Sequence, residues 1–273
     1  MSFWQNKTVV VTGGYAGLGK AISLAFARQG ARVVVLARNE TGINQMIEQA
    51  VAENPSFQLF PCVADVTDDT SVQQALQQIL SRFQRLDVWV NNVGQSVRHD
   101  LLSGKVDDYH SLMEINFYSA VRGSLAALPH LVETRGSLVN IGSLASKTAW
   151  PLMAPYSASK HALAAFHHQL RLEGPSKVHY LHVCPGPIQR SDAGNRYQAQ
   201  PNGLDQRARQ PGAGVKLAGI PPEQLAIKIV EGCRNRRTEL VMPGKARWLF
   251  ALAQLCPDWA DRILNRSRKK SDH

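Results

Sequence analysis

One pattern repeats along the chain: a short run rich in Val, Ile and Leu, a polar turn, then apolar residues at helical spacing. The runs at residues 7–12 (KTVVVT), 32–37 (RVVVLA), 58–62, 86–90, 137–141, 178–183 and 238–241 are the predicted strands. Most are apolar at successive positions rather than at alternate ones, which predicts strands covered on both faces. Helical spacing fills the intervals at about 40–54, 68–82, 107–130, 154–173 and 221–233, and a further helix runs from a glycine turn at 13–19 to near residue 30. Strands alternating with helices predict an α/β fold: a doubly wound, mostly parallel seven-stranded sheet flanked by helices on both faces. Ligands in such sheets bind beyond the carboxyl ends of the strands.

The pattern predicts a single domain over 1–243, with an irregular loop near 187–222, rich in Gly, Pro, Gln and Arg, whose length suits a ligand-covering role. An amphipathic, basic helical extension follows at 244–273. There Trp248, Leu252, Leu255, Trp259 and Ile263 recur at helical intervals and Pro257 divides the stretch, with Arg262, Arg266, Arg268, Lys269 and Lys270 behind them. Two readings of the extension stay open: docking on the domain or a second subunit, and resting peripherally on an anionic membrane surface. The chain has 273 residues, 44% of them hydrophobic, and a formal charge of +10. No stretch approaches the roughly 20 apolar residues that span a bilayer. Residues 1–7 run straight into a strand, which leaves no room for a secretory signal and predicts a cytoplasmic protein. Cys62, Cys184, Cys233 and Cys256 are widely spaced without a CxxC, as expected of buried, reduced thiols. No nucleic-acid motif accompanies the basic charge, so no nucleic-acid partner is expected.

Candidate chemistry gathers at the predicted strand ends. Tyr156 and Lys160 lie four apart on one helix face. A free phenol titrates near ~10, and a neighbouring ammonium stabilises its anion, making proton exchange with a carbonyl or alcohol oxygen feasible. Ser143 ends the fifth strand. Thr12, Gly13, Tyr15, Gly17, Leu18 and Gly19 form the turn between the first strand and its helix, where backbone N–H groups favour phosphate. The spacing is TGxxxGxG and lacks the GK[ST] of a phosphate-binding NTPase loop. Arg38 ends the second strand where an acidic residue would bind ribose hydroxyls. Its guanidinium suits a 2′-phosphate instead, so NADP(H) is preferred over NAD(H). Asp65 follows the third strand and Asn91-Asn92-Val93-Gly94 the fourth, each at the adenosine or nicotinamide side. His161, His167 and His168 have no metal-ligand spacing and are expected in packing or at the surface; no metal is expected. Trp150-Pro151-Leu152-Met153 can wall an apolar pocket. Arg98 and His99, with Arg190, Arg196, Arg207 and Arg209, have two readings, contacts to polar or anionic parts of a substrate and solvated loop charges, the second being the commoner case.

Taken together these motifs resemble the classical short-chain dehydrogenase/reductase family over about residues 7–242. The resemblance implies a Rossmann-like fold. It also implies a catalytic set of Asn116, Ser143, Tyr156 and Lys160, and a Pro185-Gly186 turn with Ile188 backbone groups beside the nicotinamide. The threonine that commonly follows this turn is missing; Arg190 or Ser191 stands near its place. The segment 37–39 is similar to the 3-ketosphinganine reductase branch. A carbonyl reductase, a 3-ketoacyl thioester reductase and a hydroxysteroid dehydrogenase fit the same residues. The implied activity is NADPH-dependent reduction of a ketone or aldehyde, on an apolar or lipid-like substrate, by a homodimer or homotetramer. The alternative function is a nucleotide-binding redox sensor or regulatory module without turnover.

Overall fold

The structure is a computed structural model and describes residues 2–189, 218–258 and 262. Seven strands form one sheet: β1 (Thr8–Thr12), β2 (Arg32–Ala37), β3 (Gln58–Val63), β4 (Val88–Asn91), β5 (Ser137–Ile141), β6 (His179–Pro185) and β7 (Glu239–Met242). Their order is β3-β2-β1-β4-β5-β6-β7 and every neighbouring pair is parallel. The sheet is therefore wholly parallel. Between the strands run α1 (Gly17–Ala27), α2 (Glu40–Glu53), α3 (Asp69–Phe83), α4 (Val106–Met113), α5 (Ser119–Thr134), α6 (Ala154–Glu173) and α7 (Pro222–Arg234).

The unbroken apolar strands follow from burial on both sides. Val9 and Val11 pack with Ile22, Phe26, Leu225 and Ile229 on one face. Val10, between them, packs with Val72, Ile79, Leu131 and Leu138 on the other. Since alternate side chains point to opposite faces, both layers demand apolar residues and no alternation survives. Helix starts are set locally where a side chain can cap: Asn39 accepts from the Gly42 N–H at α2, and Asp68 from the Ser71 N–H at α3.

Three expectations are corrected. The single helix predicted over 107–130 is α4 and α5 joined by a π-helical turn, Glu114–Tyr118, with Asn116 buried inside it. One extra residue in a turn scarcely disturbs an apolar stripe, so periodicity does not reveal it. Cys62, Cys184 and Cys233 are buried, but Cys256 is exposed just beyond α8 (Ala246–Leu255). Arg98 and His99 are buried rather than solvated. Most of the predicted ligand-covering loop, with Arg190, Ser191, Arg196, Arg207 and Arg209, lies outside the described residues, as do Trp259 and Ile263. The loop's two ends meet where Ile188 bridges Ile220 in parallel. Among the described residues, no helix is long and apolar enough to cross a membrane.

At the opposite end of the sheet from the glycine turn, buried Asp87 fixes the start of β1. Its Oδ2 accepts from the Thr8 N–H at 2.8 Å and from Arg85 Nε at 2.8 Å, and its Oδ1 accepts from Arg85 Nη2 at 2.6 Å. Replacing Asp87 with Ala strands a buried N–H, which typically costs about 2 kcal/mol. Chemical denaturation of D87A is expected to show that loss with an unchanged denaturant slope.

Candidate active site

Strand pairing brings the carboxyl ends of β1, β4 and β5 side by side, and every local turn there is held by side chains. Thr12 Oγ1 donates to the Val90 carbonyl at 3.1 Å and accepts from the Asn92 N–H at 2.9 Å. Asn92 Nδ2 returns a bond to the Thr12 carbonyl at 2.8 Å. Gly13, next in the chain, has φ of 63°, a left-handed conformation that a glycine adopts without strain. A Cβ on Gly19 would collide with the Gly13 carbonyl, so this turn closes tightly on α1. Leu18 is buried under it and Tyr15 is half-buried beside it. The first turn of α1 has no side-chain cap and no acidic residue, leaving its N–H groups to an anion.

Arg38 and Asp65 meet at the ends of β2 and β3, with Arg38 Nη1 3.4 Å from Asp65 Oδ2. Burial pushes the Asp65 carboxyl up, but hydrogen bonds from Thr67 and the charge of Arg38 outweigh it and hold the group below its usual range. The guanidinium is mostly exposed and keeps donors free for a second anion. The Asn91 side chain is bonded within the fold. Its Oδ1 accepts from Trp89 Nε1, and its Nδ2 donates to the Ala120 carbonyl, Ser124 Oγ and Asn140 Oδ1. Those bonds lie in the buried layer between β4, β5 and α5.

Tyr156 sits in the first turn of α6 and Lys160 one turn later, its Nζ 5.9 Å from the tyrosine ring centre. Lys160 is buried and donates to the Ile141 carbonyl at 2.9 Å, which ties α6 to the end of β5. Burial lowers its amine to about 8. Ser143 caps the short 3-10 turn Leu144–Ser146, and its Oγ accepts from the Ala145 N–H at 3.1 Å. Acceptance from one side leaves the hydroxyl proton able to donate outward.

Asn116 holds the third wall. Its Oδ1 accepts from the Gln95 N–H at 2.8 Å, and its Nδ2 donates to the Gln95 carbonyl and to Ser159 Oγ, each at 2.9 Å. A Cβ on Gly94 would stand 3.0 Å from Asn116 Oδ1 and 3.4 Å from Lys160 Nζ. The strip thus closes against both residues because position 94 has no side chain. Pro185 ends β6, the Gly186 N–H binds the Met242 carbonyl at 2.8 Å, and Ile188 follows half-buried. The apolar strip at 150–153 flanks Tyr156, and the His99 N–H bonds its Leu152 carbonyl at 3.2 Å. Arg98, 3% exposed, is buried next to that bond. Burial of these two after a run of polar loop residues had no sequence signal, because the segment that packs against them is remote in the chain.

A buried polar chain runs beneath the site. Asn140 Nδ2 donates to His167 Nδ1 at 3.2 Å, and the His167 ring stacks on His182 with centres 4.9 Å apart. His161 and His168 are exposed on the same helix. His182, Cys184 and Glu239 bring possible metal ligands within 4.8 Å of one another. However, Glu239 already pairs with Lys147 at 2.5 Å and with Arg247 at 3.5 Å, and burial pushes the Cys184 thiol up to about 12. A cation there would have to displace two positive side chains and strip a reluctant proton.

Sheet order and a glycine turn, with Ser143, Tyr156 and Lys160 near the carboxyl end of the interior strand β5, fit an oxidoreductase that binds a nicotinamide cofactor. The family model described as short chain dehydrogenase matches residues 7–202, and the chain belongs to the short-chain dehydrogenase/reductase family. A Drosophila melanogaster dehydrogenase/reductase SDR family protein 7-like is 30% identical over 259 residues, covering 92% of this chain and 77% of its own. An Arabidopsis thaliana 11-beta-hydroxysteroid dehydrogenase-like 4A is also 30% identical, covering 93% and 82%. Two solved structures share the fold. A short chain dehydrogenase/reductase from Burkholderia phymatum in complex with NAD has a TM-score of 0.82 at 20% identity, covering 95% and 96%. A Thermococcus sibiricus alcohol dehydrogenase with 5-hydroxy-NADP has 0.73 at 23%, covering 87% and 96%.

Burial lowers His167 to about 2 and His182 to about 3, with their mutual charge and nearby Lys147 and Lys160 acting in the same direction. Both are neutral when folded, while in the unfolded chain they take up protons near pH ~6.5. Their contribution is therefore intact above that pH and is lost as pH falls toward the folded values. Between pH 7 and pH 5 the pair is expected to cost about 4 kcal/mol of stability, measurable by denaturant titration at each pH. H167Q should flatten that slope.

Proposed function

We propose that the protein reduces a ketone or aldehyde to an alcohol with NADPH, on an apolar or lipid-like substrate, with Tyr156 donating the proton. The observation that carries this reading is the buried Lys160 amine, held on the Ile141 carbonyl 5.9 Å from the Tyr156 ring centre. When bound, the reduced nicotinamide supplies the hydride for the carbonyl carbon. Ser143 holds the carbonyl oxygen through its free hydroxyl proton as negative charge grows there. Tyr156 passes its proton to that oxygen, and the Lys160 ammonium favours the phenolate left behind. The Asn116 side chain is already committed to Gln95 and Ser159, so it positions the Gly94 strip beside Lys160.

Arg38 beside Asp65 supports the NADPH preference, since a fork of N–H donors matches a 2′-phosphate. The strip at 150–153 supports an apolar substrate, as does the steroid-dehydrogenase name of the Arabidopsis relative. The reading has the enzyme act as a homodimer or homotetramer, as the family resemblance implies.

Removing the phenol oxygen isolates proton donation. Y156F is expected to lose roughly 10²–10⁴-fold in turnover while its NADPH affinity, read by fluorescence titration, stays unchanged. Full turnover in Y156F removes the assignment. Cofactor choice is tested at the other end of the site. R38L is expected to raise the KM for NADPH about tenfold, the worth of one charged hydrogen bond, and to leave that for NADH unchanged.

A further inference from the structure

Helix α8 follows the edge strand β7, and among its described side chains the packing against the body comes from one side. Phe250, 7% exposed, packs with Leu144, Cys184 and Val241, and partly buried Ala246 and Trp150 join them. The other side carries Trp248, Leu252 and Leu255, which are 81%, 43% and 80% exposed. These positions, at i, i+4 and i+7, form one stripe along the helix. A tryptophan and two leucines standing together in water differ from a scattered surface leucine and mark a contact surface.

Charge beside the stripe selects the partner. Between β7 and α8 lies a cleft of about 520 Å³ lined by Arg237, Arg247, Trp248 and Gly244, among others. The cleft's one carboxylate, Glu239, pairs with Lys147 and with Arg247, so it cancels little of the positive field. Lys245, Arg234 and Arg236 are exposed nearby in the chain, and α8 itself contains no acidic residue. Beyond it the sequence adds Arg262, Arg266, Arg268, Lys269 and Lys270 against Asp258, Asp261 and Asp272. A second copy seated on this face would bring the same cations against one another. An anionic bilayer meets both demands: acyl chains take the stripe, headgroup phosphates meet the guanidiniums, and an indole suits the boundary between them.

We propose that the α8 stripe of Trp248, Leu252 and Leu255, with the Arg237 and Arg247 cleft beside it, docks the protein on an anionic lipid surface. Because Phe250 packs on Leu144, the residue after Ser143, the docked helix adjoins the wall of the substrate site. The surface uses none of Ser143, Tyr156, Lys160 or Asn116, so docking and catalysis can fail separately.

The test uses the full chain with vesicles of phosphatidylcholine alone or with one third phosphatidylserine. Co-sedimentation is expected to be at least tenfold tighter on the phosphatidylserine vesicles and to weaken with added salt. Brominated acyl chains should quench tryptophan emission in the wild type and less in W248F. The double variant W248S/L255S changes only exposed side chains. It should lose at least tenfold in vesicle affinity while keeping wild-type NADPH oxidation with a water-soluble carbonyl. R237Q/R247Q should lose part of the preference for phosphatidylserine vesicles and show a shallower salt dependence. The proposal is overturned if the wild type ignores phosphatidylserine vesicles, or if W248S/L255S binds them unchanged, which would leave the basic tail alone responsible. Self-association of the wild type that disappears in W248S/L255S, without vesicle binding, would assign the stripe to a second copy and equally overturn it.

Discussion

The site depends first on the contact between β1 and β4, the place where the chain changes direction across the sheet. Strands two and three lie on one side of β1, and strands four to seven on the other. Loops leaving β1 and β4 must therefore separate, and a crevice opens between them. Thr12 keeps that crevice at one width. Its hydroxyl is bonded to both the carbonyl of Val90 and the N–H of Asn92, and Asn92 answers on the Thr12 carbonyl. Without these bonds the glycine turn and the Asn-Gly strip would each still form, but neither would have a fixed distance to the other.

A second constraint comes from burying polar groups close to that crevice. Lys160 is out of water, and its lowered pKa reflects the cost of keeping a charge there. The cost is tolerated because the Ile141 carbonyl accepts from it and because Ser159, its neighbour, bonds Asn116. The same layer holds Asn91, Asn140, His167 and His182 in continuous contact. Such a network leaves few alternative rotamers to β4, β5, β6 and α6 at once. Stiffness under the candidate site is gained, and sensitivity to acid accompanies it, because both imidazoles must stay neutral.

Much of the architecture was legible along the chain. Unbroken valine runs announced strands buried on both faces, and Ser137–Ile141 and Arg32–Ala37 fall where the pattern put them. Tyr156 and Lys160 were legible as a pair because four-residue spacing on a helix is local information. Other features had no local signature. The π-helical turn that seats Asn116 breaks no hydrophobic stripe. The bonds of the Asn91 side-chain amide go to groups 29, 33 and 49 residues away. Arg98 and His99 read as solvated charges, and burial came from distant segments.

Sequence alone determined the fold class and most of the strands and helices, since each rests on periodicity or on neighbours within a turn or two, and it offered the candidate reacting groups. Tertiary structure decided which groups face one another: Lys160 with Ile141, Asn116 with Gln95, Arg38 with Asp65. It also decided the fate of the extension, where Phe250 turns inward and Trp248 is left outside. Helical spacing placed these two residues on different sides of one helix but could not say which side had a partner, because burial depends on what the rest of the chain brings to meet it.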